Sequence, residues 1–191
     1  MSNVVSALKG MSYQGFTQVN DCGARGMITL RGDLASKALQ QAACAATGCD
    51  FPARLGISGM PEAGICWMSP DEVLILCPYT TAGDATAQIA RALSGTHHLV
   101  ANVSDARAML SLSGGEPREV LAKLSPADVS PAALPSGTLR RSRLAQIPAA
   151  FWIGDHATAY VICFRSVAQY AFDVLKTASL PGSEVGFFDL G

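Results

Sequence analysis

The alternation of apolar and polar residues along the chain predicts two successive rounds of similar elements. A period of two residues indicates strands, and apolar residues three and four positions apart indicate helices. Gly32 and Asp33 supply a turn and the N-cap of the first helix, Gly48 ends it, and residues 50–62, with two prolines and two glycines, are predicted as a loop. The first round predicts a strand, a helix, two strands, a helix and a strand, at residues 25–31, 33–47, 64–68, 72–76, 84–95 and 98–103.

The second round follows the same order. Gly114 and Gly115 break the pattern of its first strand, and Pro117 suits the first turn of the helix that follows. The round predicts a strand, a helix, two strands, a helix and a candidate last strand, at residues 108–113, 117–124, 139–153, 157–164, 165–175 and 187–190. On the final helix, the residues expected to be buried are Val167, Tyr170, Ala171, Val174 and Leu175.

Because the two rounds match, the sequence predicts an internal duplication of an α+β unit in which helices pack on an antiparallel sheet. The central turns also echo one another, since residues 66–71 and 151–155 both place a tryptophan before a turn that ends in aspartate. We therefore expect an N-terminal arm, irregular or extended, at residues 1–23. Two subdomains follow, at residues 24–104 and 105–191, and together they are expected to form one compact body.

The composition favours a large apolar contact surface. Of the 191 residues, 49% are hydrophobic and only 15% are charged, against a usual charged share of about 25%. A chain with so few charges covers its own surface poorly, which favours burial against a partner protein. A codon bias towards alanine is the alternative explanation.

Charge and hydropathy exclude several classes of function. A net charge of −1 provides no field that attracts nucleic acid or anionic lipid. No apolar run approaches the length of a membrane span, and the N-terminus lacks the pattern of a signal peptide, so a cytoplasmic protein is expected. The six cysteines lie in apolar segments without regular spacing and are expected to be reduced, buried thiols: Cys22, Cys44, Cys49, Cys66, Cys77 and Cys163.

Side chains capable of chemistry are few. The three histidines are His97, His98 and His156; the neighbouring pair points to opposite faces of a strand, and metal-binding motifs are missing, so no metal site is expected. Residues 113–115, Ser-Gly-Gly before a helix, could offer amide groups to an anion. The phosphate-loop motifs are absent, however, and a helix-opening turn is the preferred interpretation.

Nucleophilic catalysis receives little support either. Composition leaves a Ser-His-Asp arrangement open, but no serine lies in a Gly-x-Ser-x-Gly motif. Cys163 is the one loose candidate for a reactive thiol, although its apolar neighbours indicate burial. The sequence therefore assigns no catalytic, cofactor-binding or metal-binding residue.

Arg140, Arg141 and Arg143 form a basic cluster. In a strand, Arg141 and Arg143 share one face while Arg140 lies on the other. One interpretation is a solvated or edge-protecting strand. The other is an anchor for the carboxylates of a partner, since the planar guanidinium group suits interfaces. No aromatic residues interleave with the cluster, so a nucleic-acid surface is not expected.

Four short motifs together carry a family resemblance. A Trp-x-x-Pro-Asp-Glu turn is found at Trp67, Pro70, Asp71 and Glu72. A Val-Ser-x-x-Arg-Ala strand entry is found at Val103, Ser104, Arg107 and Ala108. A Leu-Ser-Gly turn leads into an Arg-Glu-Val-Leu-Ala-Lys helix, and an Arg-Ser-x-Ala helix start comes later, at residues 112–114, 118–123 and 165–168. In these motifs, which span about residues 64–180, the chain resembles the gamma subunit of heterotetrameric sarcosine oxidase.

The resemblance implies a fold similar to the folate-binding domain of the glycine cleavage aminomethyltransferase, with two α+β subdomains that can exchange terminal strands. It also implies partners, the alpha, beta and delta subunits, in a complex that oxidatively demethylates sarcosine to glycine. FAD, FMN, NAD and tetrahydrofolate are then expected on partner subunits and zinc on delta. The gamma subunit is regarded as a non-catalytic accessory, so the resemblance transfers no site residue and no cofactor to this chain.

Three hypotheses follow. The first is a structural subunit that buries its apolar excess against larger partners and self-associates when made alone. The second is a stand-alone folate-binding or aminomethyl-transfer protein, for which Asp105 is the one carboxylate to nominate, although a turn at a strand entry explains Asp105 equally. The third is an iron–sulfur maintenance factor, whose Lys-Gly-Cys-Tyr-x-Gly motif the sequence lacks.

Overall fold

The computed structural model describes residues 4–188, and these divide into two compact units. The middle unit comprises residues 25–105. The terminal unit combines residues 4–24 with residues 106–188. Among the described residues, none of the helices has the length and hydrophobicity that a membrane-spanning helix needs.

Most of the elements follow the order that the two rounds of sequence pattern predict. In chain order the strands are β1 Ser12–Gln14, β2 Gln18–Asp21, β3 Arg25–Gly32, β4 Ile57–Met60, β5 Ala63–Ser69, β6 Glu72–Pro78, β7 His98–Asn102, β8 Arg107–Ser113, β9 Leu139–Leu144, β10 Ile147–Ile153 and β11 Ala159–Phe164. The helices are α1 Lys37–Thr47, α2 Ala82–Ala92, α3 Pro117–Leu124 and α4 Ala168–Ala178. Short 3₁₀ turns lie at Tyr79–Thr81, Ser104–Ala106, Asp155–Ala157 and Arg165–Val167.

The middle unit is an antiparallel sheet with the strand order β4-β5-β6-β3-β7. Helix α1 ends at Gly48, whose φ of 72° is the left-handed conformation that glycine adopts at little cost. Helices α1 and α2 meet alternate residues of β3 and β6 in one core, formed by Ile28, Leu30, Leu39, Ala43, Val73, Ile75, Ile89 and Leu93.

The terminal unit is a second antiparallel sheet, with the order β1-β2-β8-β11-β10-β9. Arg118, on α3, holds the proline-rich loop before β9 by donating to the carbonyl oxygens of Val129 and Leu134, at 2.7 and 2.9 Å. Helices α3 and α4 complete the core, which includes Val19, Leu110, Leu112, Val120, Leu121, Phe151, Val161, Phe172 and Leu175. The predicted α+β class with antiparallel sheets is confirmed.

Strand β2 holds in the terminal unit the position that β7 holds in the middle unit. β7 pairs with β3, the first strand of its unit, and β2 pairs with β8, the corresponding strand of the other. The sequence predicted the candidate last strand of this unit at residues 187–190. That prediction is wrong for Phe187 and Phe188, which lie in a turn, while residues 189 and 190 lie outside the described residues. Residues expected to form an irregular or extended arm therefore complete the sheet of the terminal unit.

Two further segments differ from the prediction. Residues 50–62 contain a strand, β4, where glycine and proline indicated only a loop. Residues 139–153 form a hairpin, β9 and β10, instead of one strand. Its turn contains Ala145 with a φ of 50° and no glycine or asparagine, so the usual sequence signal for a hairpin is missing.

The buried face of α4 is rotated by one residue from the predicted face. A 3₁₀ turn occupies residues 165–167, so the α-helix begins at Ala168. Phe172 is buried, whereas Tyr170, which was expected in the core, is 39% exposed. The apolar spacing predicted the helix correctly but did not determine which of two neighbouring faces packs against the sheet.

Candidate interaction surface

The three candidate histidines lie in two segments of the structure. His97 is exposed beside β7, and the Nδ1 atom of His98 lies 3.0 Å from the carbonyl oxygen of Thr96. His156 lies in the 3₁₀ turn before β11. Within residues 4–188, no group of three or more His, Cys, Asp and Glu side chains is placed to hold a metal ion.

Cys163 is buried in β11, where the sequence indicated burial. Burial raises the pKa of its thiol to about 11, and the nearby Arg107 opposes this shift only in part. Burial likewise raises the pKa of Cys44, Cys66 and Cys77. Because the thiolate is the nucleophile, the raised pKa values disfavour a reactive thiol at these four positions. None of the six cysteines, all in the described part of the chain, forms a disulfide. Cys66, Cys77 and Cys163 are buried, but Cys22, Cys44 and Cys49 are only half-buried, so the expected burial is wrong for these three.

The Ser-Gly-Gly segment opens α3, as the turn interpretation expects. The backbone of Gly115 has a φ of 54°, and a Cβ there would lie 2.0 Å from the carbonyl oxygen of Phe16. The amide of Glu116 donates to the hydroxyl group of Thr17, at 3.1 Å. A protein side chain therefore occupies part of the helix N-terminus that an anion would need.

Asp105 lies exposed in the turn between β7 and β8. Its two carboxylate oxygens lie 3.0 and 3.1 Å from the hydroxyl group of Tyr79, which donates to them. A carboxylate that binds a pterin ring would have to face a cavity. The structure gives Asp105 a surface contact instead, which agrees with a turn residue.

A buried carboxylate that the sequence interpretation missed organises the C-terminal tail, residues 183–188. Glu119, on α3, is 3% exposed and accepts hydrogen bonds from the amides of Val185 and Gly186, at 2.7 and 2.9 Å. The Nζ atom of Lys123, one helical turn later, lies 3.0 Å from it. The spacing of four residues indicates such an ion pair on a helix, but only the position of the tail explains its burial.

Lys123 links the same tail to α4. Its ammonium group donates to the carbonyl oxygens of Ala178 and Ser183, at 3.1 and 2.6 Å, and lies 4.7 Å from the centre of the Phe16 ring. One lysine thus joins α3, the end of α4, the tail and the segment between β1 and β2. The pair of Glu119 and Lys123 thus contacts both the tail and the segment between β1 and β2.

Burial and hydrogen bonding shift the pKa of Glu119 in opposite directions. Burial by itself raises the pKa of this carboxyl group, but the hydrogen bond from the Val185 amide, together with those from Lys123 and Gly186, outweighs it. The pKa of Glu119 is therefore held below its usual value. The carboxylate is ionised at neutral pH and serves the fold.

Lowering the pH is expected to remove the stabilisation that the ionised carboxylate of Glu119 gives to the fold. A carboxyl group whose pKa is lower in the folded than in the unfolded protein stabilises the fold above its unfolded pKa, about 4.3 for glutamate, and ceases to do so as the pH falls through the folded pKa. The stability difference between the wild-type protein and Glu119→Gln should therefore be large at about pH 7 and shrink below about pH 4. Urea titrations at both pH values measure it, and a pH-independent difference would contradict the depressed pKa.

Beside this ion pair lies a shallow groove. It has a volume of about 380 Å³ and is lined by residues of α3, α4 and the tail: Lys123, Leu124, Val174, Thr177, Ala178 and Ser183. Its lining is mostly apolar, and the one ammonium group at its rim already has protein partners. The groove therefore presents apolar surface without a group placed for chemistry.

Several large apolar side chains of the terminal unit are exposed. In the tail, Val185 is 70% and Phe187 is 63% exposed, although Glu119 fixes the backbone that carries them. At the end of β11, Phe164 is 48% exposed, with the guanidinium carbon of Arg107 5.3 Å from the centre of its ring. Aromatic and arginine side chains held in fixed positions are typical of protein interfaces.

Strand β9 carries the three arginines at the end of the sheet. Arg140 donates to the carbonyl oxygen of Ala133, at 2.7 Å, so it holds the preceding loop. Arg141 and Arg143 are exposed. The predicted division of the cluster between two faces is therefore found, with one structural arginine and two at the surface.

The repeated order of strands and helices defines the class, a duplicated α+β protein. A solved relative is aminomethyltransferase T of the glycine cleavage system from Bartonella henselae, with a TM-score of 0.59, 13% identity and coverage of 81% of this chain and 44% of that one. At this identity the similarity shows the fold alone. A chain of the heterotetrameric sarcosine oxidase from Corynebacterium sp. U-96, solved with pyrrole 2-carboxylate, is more similar: the TM-score is 0.77 at 25% identity, covering 85% of this chain and 83% of that one.

Residues 31–181 match the sarcosine oxidase, gamma subunit family, and the chain belongs to that family. Two relatives bear the name sarcosine oxidase subunit gamma. The one from Arthrobacter sp. is 32% identical over 123 residues, 63% of this chain and 60% of the relative. The one from Corynebacterium sp. (strain P-1) is 30% identical over 127 residues, 65% of this chain and 62% of the relative. The matched part thus spans about 60% of the length of these relatives.

Proposed function

We propose that this chain is the gamma subunit of a heterotetrameric sarcosine oxidase and acts there as a non-catalytic accessory subunit. Its partners are the alpha, beta and delta subunits of a complex that oxidatively demethylates sarcosine to glycine. FAD, FMN, NAD and tetrahydrofolate belong to partner subunits and zinc belongs to delta. The observation that carries the proposal is the match of residues 31–181 to the gamma subunit family.

The side chains of this chain support an accessory role. The buried carboxylate, Glu119, is used to hold the tail, and Asp105 is engaged by Tyr79. Burial raises the pKa of the thiol of Cys163, the one cysteine that the sequence nominated. We place the complex in the cytoplasm, since six cysteines without a disulfide are usual in a reducing compartment.

The accessory role acts through mass action. A subunit that binds only the folded form of its partners stabilises them by a free energy that grows with the logarithm of its concentration relative to its dissociation constant. Exposed apolar residues such as Phe187 and Phe164 lose contact with water when a partner covers them, which supplies part of the binding free energy. No reaction step is assigned to this chain.

Co-expression tests the proposal directly. We expect the chain to copurify in fixed stoichiometry with the alpha, beta and delta subunits of its organism, and to self-associate or precipitate when it is made alone, because its apolar surface is then uncovered. Affinity purification through a tagged partner and size-exclusion chromatography of the isolated chain measure both. A monodisperse monomer that fails to copurify would contradict the proposal. Saturable micromolar binding of tetrahydrofolate by the isolated chain would favour a stand-alone folate-binding or aminomethyl-transfer protein instead.

A further inference from the structure

Arg141 and Arg143 project from one face at the edge of the terminal sheet. In the β9–β10 pairing, Arg141 lies opposite Ala150 and Arg143 lies opposite Pro148. The alternate residues of β10, such as Phe151 and Ala149, belong to the core beneath the helices. The two arginines therefore lie on the face of the sheet opposite to α3 and α4, and both are exposed.

The hairpin that carries them is uniformly basic. Residues 139–153 contain three arginines and no aspartate or glutamate. Arg140, on the helix side, interacts electrostatically with the carboxyl group of Asp128 and donates a hydrogen bond to the carbonyl oxygen of Ala133. The opposite face, with Arg141 and Arg143, presents two positive charges two residues apart, a separation of about 6.6 Å along a strand. In an extended segment, carboxylates at alternate positions are separated by the same distance.

The strand itself is open on one side. β9 is the last strand in the order of the terminal sheet, so its outer edge has no neighbouring strand among the described residues. Such an edge can accept an extended segment of another chain, in which backbone hydrogen bonds contribute affinity and alternate side chains contribute specificity. The position of the arginines at a sheet edge and their positive charge thus both favour binding of an extended acidic segment.

We propose that β9, through Arg141 and Arg143, binds an extended acidic segment of a partner subunit, with aspartate or glutamate side chains at alternate positions. The inference rests on the proposed function, because it places the contact inside the oxidase complex. Arginine suits this role because its planar group binds a carboxylate through two hydrogen bonds. A neutral or basic partner segment would offer these two guanidinium groups no carboxylate to bind.

Edge protection is the competing explanation for the same residues, and the two make different predictions. A charged side chain keeps an edge strand from pairing with another molecule, and glutamate serves this purpose as arginine does. Binding of an acidic segment requires positive charge. Replacing both arginines by glutamate therefore preserves the protection of the edge strand but removes the charge complementarity to an acidic segment.

The test is copurification of the R141E/R143E variant with a tagged partner subunit, beside the wild-type chain and an R54E/R91E control. Arg54 and Arg91 are exposed residues of the middle unit, so the control makes the same change in net charge elsewhere. We expect R141E/R143E to weaken assembly at least about tenfold, because like charges then face each other. The R54E/R91E control should assemble as the wild-type chain does.

Two further measurements separate the outcomes. Thermal melting of each isolated variant reports folding, and the single variant Arg143→Glu provides a milder change if the double variant is destabilised. In the wild-type complex the dissociation constant should rise with salt concentration, and the rise should be smaller for R141Q/R143Q. Normal assembly of R141E/R143E with unchanged salt dependence would overturn the inference while the wild-type result upholds the proposed function. Failure of the wild-type chain to assemble would instead contradict the proposed function.

Discussion

A Val19→Asp variant is expected to lose about 4 kcal/mol of the free energy of unfolding of the terminal unit. Val19 is fully buried in β2, between β1 and β8, and lies opposite Leu112 in the β8 pairing. Val19 belongs to the apolar core of the terminal unit, so an aspartate there is a charge buried among apolar side chains. The loss should appear in a segment more than eighty residues away from the substitution, because β2 and β8 share one sheet.

Ser12→Asp is the matched control for this variant. Ser12 lies in β1 of the same sheet but is exposed, so the same new charge should change the stability by less than about 0.5 kcal/mol. Urea unfolding measures both losses, and hydrogen exchange should show faster exchange of the β8 amides in Val19→Asp. Equal stability of the two variants would contradict the assignment of β2 to the terminal sheet. Removal of residues 4–21 should have an effect at least as large as that of Val19→Asp.

A Glu119→Ala variant is expected to lose about 3 kcal/mol. The substitution removes the acceptor for the amides of Val185 and Gly186 and the partner of Lys123. Breaking a buried ion pair from one side costs about 3–5 kcal/mol. The lower end applies here, because the Lys123 side chain is 21% exposed and keeps two carbonyl acceptors.

Glu116→Ala tests whether this loss depends on burial and on the tail. Glu116 lies at the start of the same helix but is exposed and makes no capping hydrogen bond through its side chain, so less than about 0.5 kcal/mol is expected. The amides of Val185 and Gly186 should exchange faster in Glu119→Ala and remain protected in Glu116→Ala. A Glu119→Ala variant with wild-type stability and protected tail amides would show that other contacts hold the tail.

Both predictions concern how the chain presents its surface to partners. Phe187 and Val185 are exposed on a backbone that Glu119 fixes, and β2 belongs to the sheet whose far edge carries Arg141 and Arg143. A side chain that is already fixed loses little conformational entropy on binding. The buried polar pair and the N-terminal strands thus support the candidate interaction surface of the terminal unit.

The candidate surface was predictable only in part. The basic cluster at residues 140–143 was visible in the sequence, and the strand periodicity assigned Arg141 and Arg143 to one face. The role of Glu119 was not predictable, because a glutamate four residues before a lysine on a helix usually indicates a solvated pair. Its burial depends on Val185 and Gly186, which lie 66 and 67 residues later in the chain.

The sequence by itself determined the α+β class, the two rounds of elements and the order of most strands and helices, because periodicity and turn residues act between near neighbours. Its motifs also indicated the gamma subunit family, to which the chain belongs. Only the tertiary structure decided that residues 18–21 pair with β8, and that Ala145 turns a hairpin. Strand pairing joins backbone groups of distant segments whatever their side chains are, and therefore leaves little trace in the local pattern.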